Sequence, residues 1–218
     1  MSLTVDRRHL LGLAAGSAVS RYVGPKQLRI IGGKDGFATT GFLTTLADKA
    51  QQEGYQVQAD HLGPLAEVST REQDLARLDP GTRSRVVDNC LDQIREWLRQ
   101  DNPQDLIAYS LGGGLLRLLI SRYPVVLTYP GLFGSVELAM TPRFGTVPEA
   151  YPKQDQYLRY LRRFRWGLST NDGDGFKWSN VEGYAKAVGG VPINLGPVGH
   201  GTNPSSYESI SLNLLSNL

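Results

Sequence analysis

Two rhythms of apolar residues alternate along this chain. Short apolar runs at 28–31, 55–59, 105–109, 125–129, 164–169 and 191–195 read as strands. Between them apolar residues return at helical spacing. Phe42, Leu43, Leu46, Ala47 and Ala50 mark one face of a helix over 41–53. Pro80-Gly81-Thr82 opens a long helix with Val86, Val87, Cys90, Leu91, Ile94, Trp97 and Leu98 on one side, closed before Pro103. Further helices are expected over 111–122, 179–188 and 204–216, while Asp60-His61-Leu62-Gly63-Pro64 reads as a loop. Strands separated by helices predict one α/β domain with a mainly parallel central sheet and right-handed crossovers.

That alternation limits where chemistry can sit, because open α/β sheets bind ligands beyond the carboxyl ends of their strands. Four polar or glycine-rich segments fall there: 32–40, 109–114, 170–176 and 196–203. No internal repeat or low-complexity tract interrupts the pattern.

Composition narrows the picture further. A chain of 218 residues, 40% hydrophobic and 20% charged, can bury a full single core. Its net charge of +2, with no basic patch interleaved with aromatics, argues against a nucleic-acid partner. The single Cys90 cannot form an internal disulfide, and its place on the apolar helix face makes it a buried thiol. His9, His61 and His200 are scattered and no C-x-x-C pair exists, so neither a metal nor a cofactor is expected.

Residues 1–21 stand apart from the strands. Arg7 and Arg8 precede a short Gly/Ala-rich apolar stretch, and Gly16-Ser17-Ala18 offers small residues for cleavage, the pattern of a twin-arginine export signal. The bland alternative is a first helix. The stretch 10–19 is too short to span a bilayer, so no stable membrane span is expected there. The export reading places the protein outside the cytoplasm, the helix reading inside it; residues 22–218 form the single catalytic domain in both.

The chemistry gathers around Ser110. Leu-Ile-Ala-Tyr-Ser-Leu-Gly-Gly-Gly-Leu-Leu-Arg over 106–117 runs from strand to helix without a loop, with Ser110 at the corner and small residues Ala108 and Gly112 on either side. This is the spacing of a nucleophile elbow, in which a sharp turn lifts the serine clear of the sheet. An ordinary turn serine or helix N-cap is the commoner source of such a match. A serine hydroxyl becomes a useful nucleophile only beside a base. His200, in the glycine-rich Leu-Gly-Pro-Val-Gly-His-Gly after the last strand, is the candidate; His61 is read as pocket wall or surface. Asp172 and Asp174, beyond strand 164–169, both qualify as the acid that orients the imidazole. Asn171, Asp172 and Asp174 also resemble a calcium loop, but the later glutamate of an EF-hand is missing. The order Ser, Asp, His is that of the α/β-hydrolase fold. Oxyanion donors would be the backbone N–H of Leu111 and an amide of the Gly33-Lys34 loop.

These motifs resemble the small serine hydrolases typified by retinoblastoma-binding protein 9 and the bacterial YdeN proteins, over roughly residues 28–215. The resemblance rests on Gly32-Gly33 with Thr39-Thr40-Gly41-Phe42, on Tyr109-Ser110-Leu111-Gly112, on Ser169-Thr170-Asn171-Asp172, and on Gly199-His200. It implies a compact α/β-hydrolase with esterase-like activity on a small acyl ester, and it favours Asp172 as the acid. Where the family has two adjacent acids and a proline, this chain has Asn171-Asp172-Gly173, and Ala108 stands in place of the first elbow glycine. The region 131–163, apolar without clean period, is expected to hold a lid or cap. Within it 157–163 reads as a basic amphipathic helix whose charged face is solvated. The leading expectation is a serine hydrolase cleaving a carboxylic ester or thioester, with an amidase or lipase as a close variant. The alternative of a different class is a non-catalytic binding protein on the same fold. Oligomeric state is left open.

Overall fold

In the computed structural model of the chain, residues 25–34, 41–70, 75–100, 104–141, 152–170, 178–216 and 218 are described. Six strands form one sheet: β1 (Gln27–Ile31), β2 (Gln56–Asp60), β3 (Asp105–Tyr109), β4 (Ser135–Ala139), β5 (Arg163–Leu168) and β6 (Val191–Asn194). Their order is β2-β1-β3-β4-β5-β6 and every pairing is parallel. From β1 the chain first builds outward to β2 and then returns to lay β3 on the other side of β1. The carboxyl ends of β1 and β3 therefore flank the crevice where strand order reverses, the usual binding position in open α/β sheets.

Six α-helices connect and cover these strands among the described residues: α1 (Gly41–Gln52), α2 (Gly63–Thr70), α3 (Pro80–Leu98), α4 (Leu111–Arg122), α5 (Trp178–Ala187) and α6 (Tyr207–Leu215). Buried strands read as continuous apolar runs, yet alternate side chains still serve opposite faces. In β3, Ile107 and Tyr109 pack with Phe42, Leu43 and Leu46 of α1 and Ile210 and Leu214 of α6. Leu106 and Ala108 face the larger core, which includes Ile94 and Leu98 of α3, Leu115 and Leu119 of α4, and Trp166 of β5. Helix α3 starts where Asp79 accepts a 3.0 Å hydrogen bond from the Thr82 amide, with Pro80 inside the first turn. Cys90 lies in this core, and burial pushes its thiol up to about 12, which leaves it inert as a nucleophile. None of the described helices is long and apolar enough to cross a membrane.

Helix α4, which follows the elbow, is buried from Leu111 to Ile120, including Arg117. A charge buried this deeply needs a partner with good geometry. Arg117 donates from Nε to Asp155 Oδ1 at 3.1 Å and forms a second contact to Oδ2. The Tyr184 hydroxyl donates to the same carboxylate at 2.6 Å, and the guanidinium sits 5.0 Å over the Trp166 ring. This cluster joins α4, α5 and the 3₁₀ segment Pro152–Tyr160.

Four expectations are corrected. The run 125–129 is not a strand: Pro124–Thr128 is a 3₁₀ turn with Val125 58% exposed, and the strand lies at Ser135–Ala139. Glu137 disguises that strand, because a central carboxylate breaks the apolar signature. It is fully buried and accepts a 2.6 Å hydrogen bond from Arg165, its register partner on β5. The region 131–163 is consequently not all cap, since β4 occupies its start. The basic stretch over 157–163 is not an α-helix; it spans the end of the 3₁₀ segment and the start of β5. Its side chains do divide as expected, with Leu158 and Leu161 buried and Arg159, Arg162 and Arg163 exposed. Finally, 63–64 opens helix α2, where the Gly63 amide donates to Gln93 Oε1 at 3.0 Å.

Candidate active site

Ser110 joins β3 to α4 in a single residue. Its backbone lies at φ 52° and ψ −118°, outside the regions open to most side chains. Such a conformation costs on the order of 1–3 kcal/mol and persists only where the surroundings impose it. Here they do. The Ser110 amide donates to the Ala139 carbonyl at 3.0 Å and the Ser110 carbonyl accepts from the Gly114 amide at 3.2 Å. Gly112 could carry no side chain, for a β-carbon there would stand 2.4 Å from the Gly32 carbonyl oxygen. At Gly33 a β-carbon would reach 3.1 Å from the Ser110 β-carbon. The glycines of both loops thus permit the close approach of β1's end to the elbow.

Ser110 occupies the N-cap position of α4, yet its side chain makes no capping hydrogen bond. The hydroxyl is directed to His200 instead, whose Nε2 lies 2.8 Å from Ser110 Oγ. Both residues are half-buried. His200 arrives on the turn after β6, between Gly199 at φ 61° and Gly201 at φ 70°, where the left-handed backbone favours glycine. The loop beginning this turn is tied to the end of β5: Ser169 Oγ and the Thr170 amide donate to the Gly196 carbonyl at 3.1 and 2.9 Å. The chain therefore passes from β5 toward position 171 beside the loop that carries His200.

Of the residues singled out in the sequence, Ser110 and His200 meet at hydrogen-bond distance, and Gly33 and Leu111 lie against the elbow. Gly33 and Leu111 are buried, whereas Lys34 is exposed. Leu111 opens α4, where the first amides have no carbonyl four residues earlier to bind. Asp172, Asp174 and residues 1–21 lie outside the described residues. His61 is half-buried after β2. No group of three His, Cys, Asp or Glu side chains that could hold a metal occurs among the described residues.

Three neighbours of the pair were not assigned roles from sequence. Tyr109 donates from its hydroxyl to the His200 carbonyl oxygen. Met140, at φ 47°, follows β4 and its sulfur would lie 3.2 Å from a β-carbon at Gly201. Thr141 presses on Gly113 and is held by Trp166, whose Nε1 donates to the Thr141 carbonyl at 2.9 Å. Tyr109 alone carried a sequence signal, its place before the serine.

The fold is that of the α/β hydrolases. No family model and no curated protein matches the sequence. Among solved structures, the ydeN gene product of B. subtilis superposes with a TM-score of 0.60 at 15% identity, covering 88% of this chain and 97% of that one. An α/β-superfamily protein of Xanthomonas campestris gives 0.56 at 16% identity, covering 89% and 100%. The esterase domain of a Rhodothermus marinus protein gives 0.54 at 14% identity, covering 88% and 85%.

Proposed function

We propose that this protein is a serine hydrolase that cleaves a small carboxylic ester or thioester through an acyl-enzyme. The observation that carries the reading is the pairing of a strained Ser110 with His200 Nε2 at 2.8 Å, at the carboxyl ends of the strands. Esterase and hydrolase names among the structural neighbours agree with it at the level of fold.

In this reading His200 Nε2 takes the hydroxyl proton as Ser110 Oγ bonds to the carbonyl carbon, and the carbonyl electron pair moves onto oxygen. Amides of Leu111 and the Gly33-Lys34 loop receive that oxyanion; one such donor contributes about 3–4 kcal/mol to the transition state in well-studied enzymes. Collapse of the intermediate breaks the bond to the leaving alcohol or thiol, which takes the proton from His200. Water, deprotonated by His200, then attacks the acyl-enzyme, releasing the acid and restoring the serine. Asp172 accepts the Nδ1–H of His200 and holds its tautomer.

Labelling with a fluorophosphonate probe, alongside hydrolysis of p-nitrophenyl acetate, tests this. Wild type should label and turn over, and Ser110→Ala should do neither, with turnover down by about three orders of magnitude or more. A folded wild-type protein that fails to label would favour a non-catalytic binding protein.

A further inference from the structure

We infer that Tyr109 is a positioning residue that holds the His200 loop over the nucleophile, an inference resting on the serine-hydrolase reading above. Tyr109 ends β3 and is covalently joined to Ser110, while its side chain projects onto the α1 and α6 face of the sheet. It is 4% exposed. Its hydroxyl donates to the backbone carbonyl of His200, and its ring centroid lies 5.3 Å from that of the imidazole.

One side chain therefore meets both the His200 loop and, at Gly33, the loop after β1. The Phe42 ring lies 5.5 Å away on one side. On another side a β-carbon at Gly33 would come within 3.1 Å of the Tyr109 ring, so the oxyanion loop is moulded on it. The base, by contrast, sits in a turn between two left-handed glycines, outside any helix or strand. A backbone of that kind acquires a defined position from what it is bonded to. Tyr109 gives it one, referenced to the same strand end that fixes Ser110, while Met140 closes on Gly201 from β4. The separation of Oγ and Nε2 then follows from the rigid sheet and not from the loop alone. Displacements of about 1 Å in such pairs can cost 10²-fold in rate.

Tyr109→Phe keeps the ring and its packing and removes only the hydroxyl. With p-nitrophenyl acetate we expect kcat to fall at least fivefold while KM stays within twofold, and fluorophosphonate labelling to slow in parallel. A residue that positions the base matters only while the base is present. In a His200→Ala background, Tyr109→Phe should therefore change the residual labelling rate by less than twofold. Retention of more than a fifth of wild-type kcat, or the same fold loss repeated in the His200→Ala background, would overturn the inference. Failure of Tyr109→Phe to fold would also overturn it, since the hydroxyl would then support the domain and not the base. The underlying reading fails separately, if Ser110→Ala or His200→Ala turns over and labels like wild type.

Discussion

A β-carbon at Gly113 would lie 1.9 Å from Thr141 Oγ1, so helix α4 and the end of β4 meet with no room for a side chain between them. Thr141 cannot easily withdraw: Oγ1 lies 3.4 Å from the Ala108 and Ala139 carbonyls, and Trp166 Nε1 donates to the Thr141 carbonyl. Helix propensity alone would favour Gly113→Ala by about 1 kcal/mol. Overpacking at a buried contact costs about 1–3 kcal/mol, and more where backbone must shift. Gly113→Ala should thus be less stable than wild type in urea unfolding and should lose ester turnover as the elbow shifts. Equal or greater stability would mean that the contact relaxes freely.

Ser110 offers a test of stored strain. Alanine and glycine both remove the hydroxyl, so comparing the two isolates the backbone. In most positions glycine is the less stable of the pair because its unfolded chain is more flexible. At φ 52° and ψ −118° the order should reverse, with Ser110→Gly more stable than Ser110→Ala by about 1–3 kcal/mol. Matched denaturant midpoints for the two variants would show that the elbow is unstrained.

The acid is assigned by ranking two variants. Asp172 is closer to the end of β5, whereas Asp174 lies between Gly173 and Gly175. Loss of an orienting acid leaves nucleophile and base in place but permits the wrong tautomer, at a cost of roughly 10⁴ in kcat in the serine protease case. Asp172→Asn should be impaired on that scale and Asp174→Asn by at most a few-fold. The reverse ranking moves the role to Asp174.

Glu137 links stability to pH. It is fully buried beneath α6, where Arg165 also donates to the Leu214 carbonyl at 3.3 Å. Burial pushes its carboxyl from an ordinary 4.5 up to about 8, outweighing the opposing pull of Arg165. A pKa raised by folding means that the folded state holds the proton more tightly. The resulting stability is complete below about 4.5 and is lost as pH rises toward 8. Urea midpoints should fall across that window, and Glu137→Gln should flatten the Glu137-dependent part of the fall. Parallel pH slopes for wild type and Glu137→Gln would refute the linkage.

Local periodicity was sufficient for most of the elements, because apolar spacing at 2 or 3.6 residues reflects which faces a segment must bury. It placed β1, β3 and α4 correctly, and with them the strand-to-helix corner at Ser110. It failed at β4, where Glu137 looks like a surface residue until Arg165 on the neighbouring strand is known. It also misread Val125, whose apolar character suggested a strand although the residue is exposed. The elbow spacing of Ala108, Ser110 and Gly112 named the serine, and a glycine-rich loop after the last strand named His200. Their 2.8 Å approach across 90 positions of chain was decided by the tertiary structure. So were the contact of Tyr109 with the His200 carbonyl and the demand for glycine at 113, the latter imposed by Thr141, two residues past the end of β4. Sequence determines locally what each segment can bury; only the assembled sheet brings together groups that no local pattern relates.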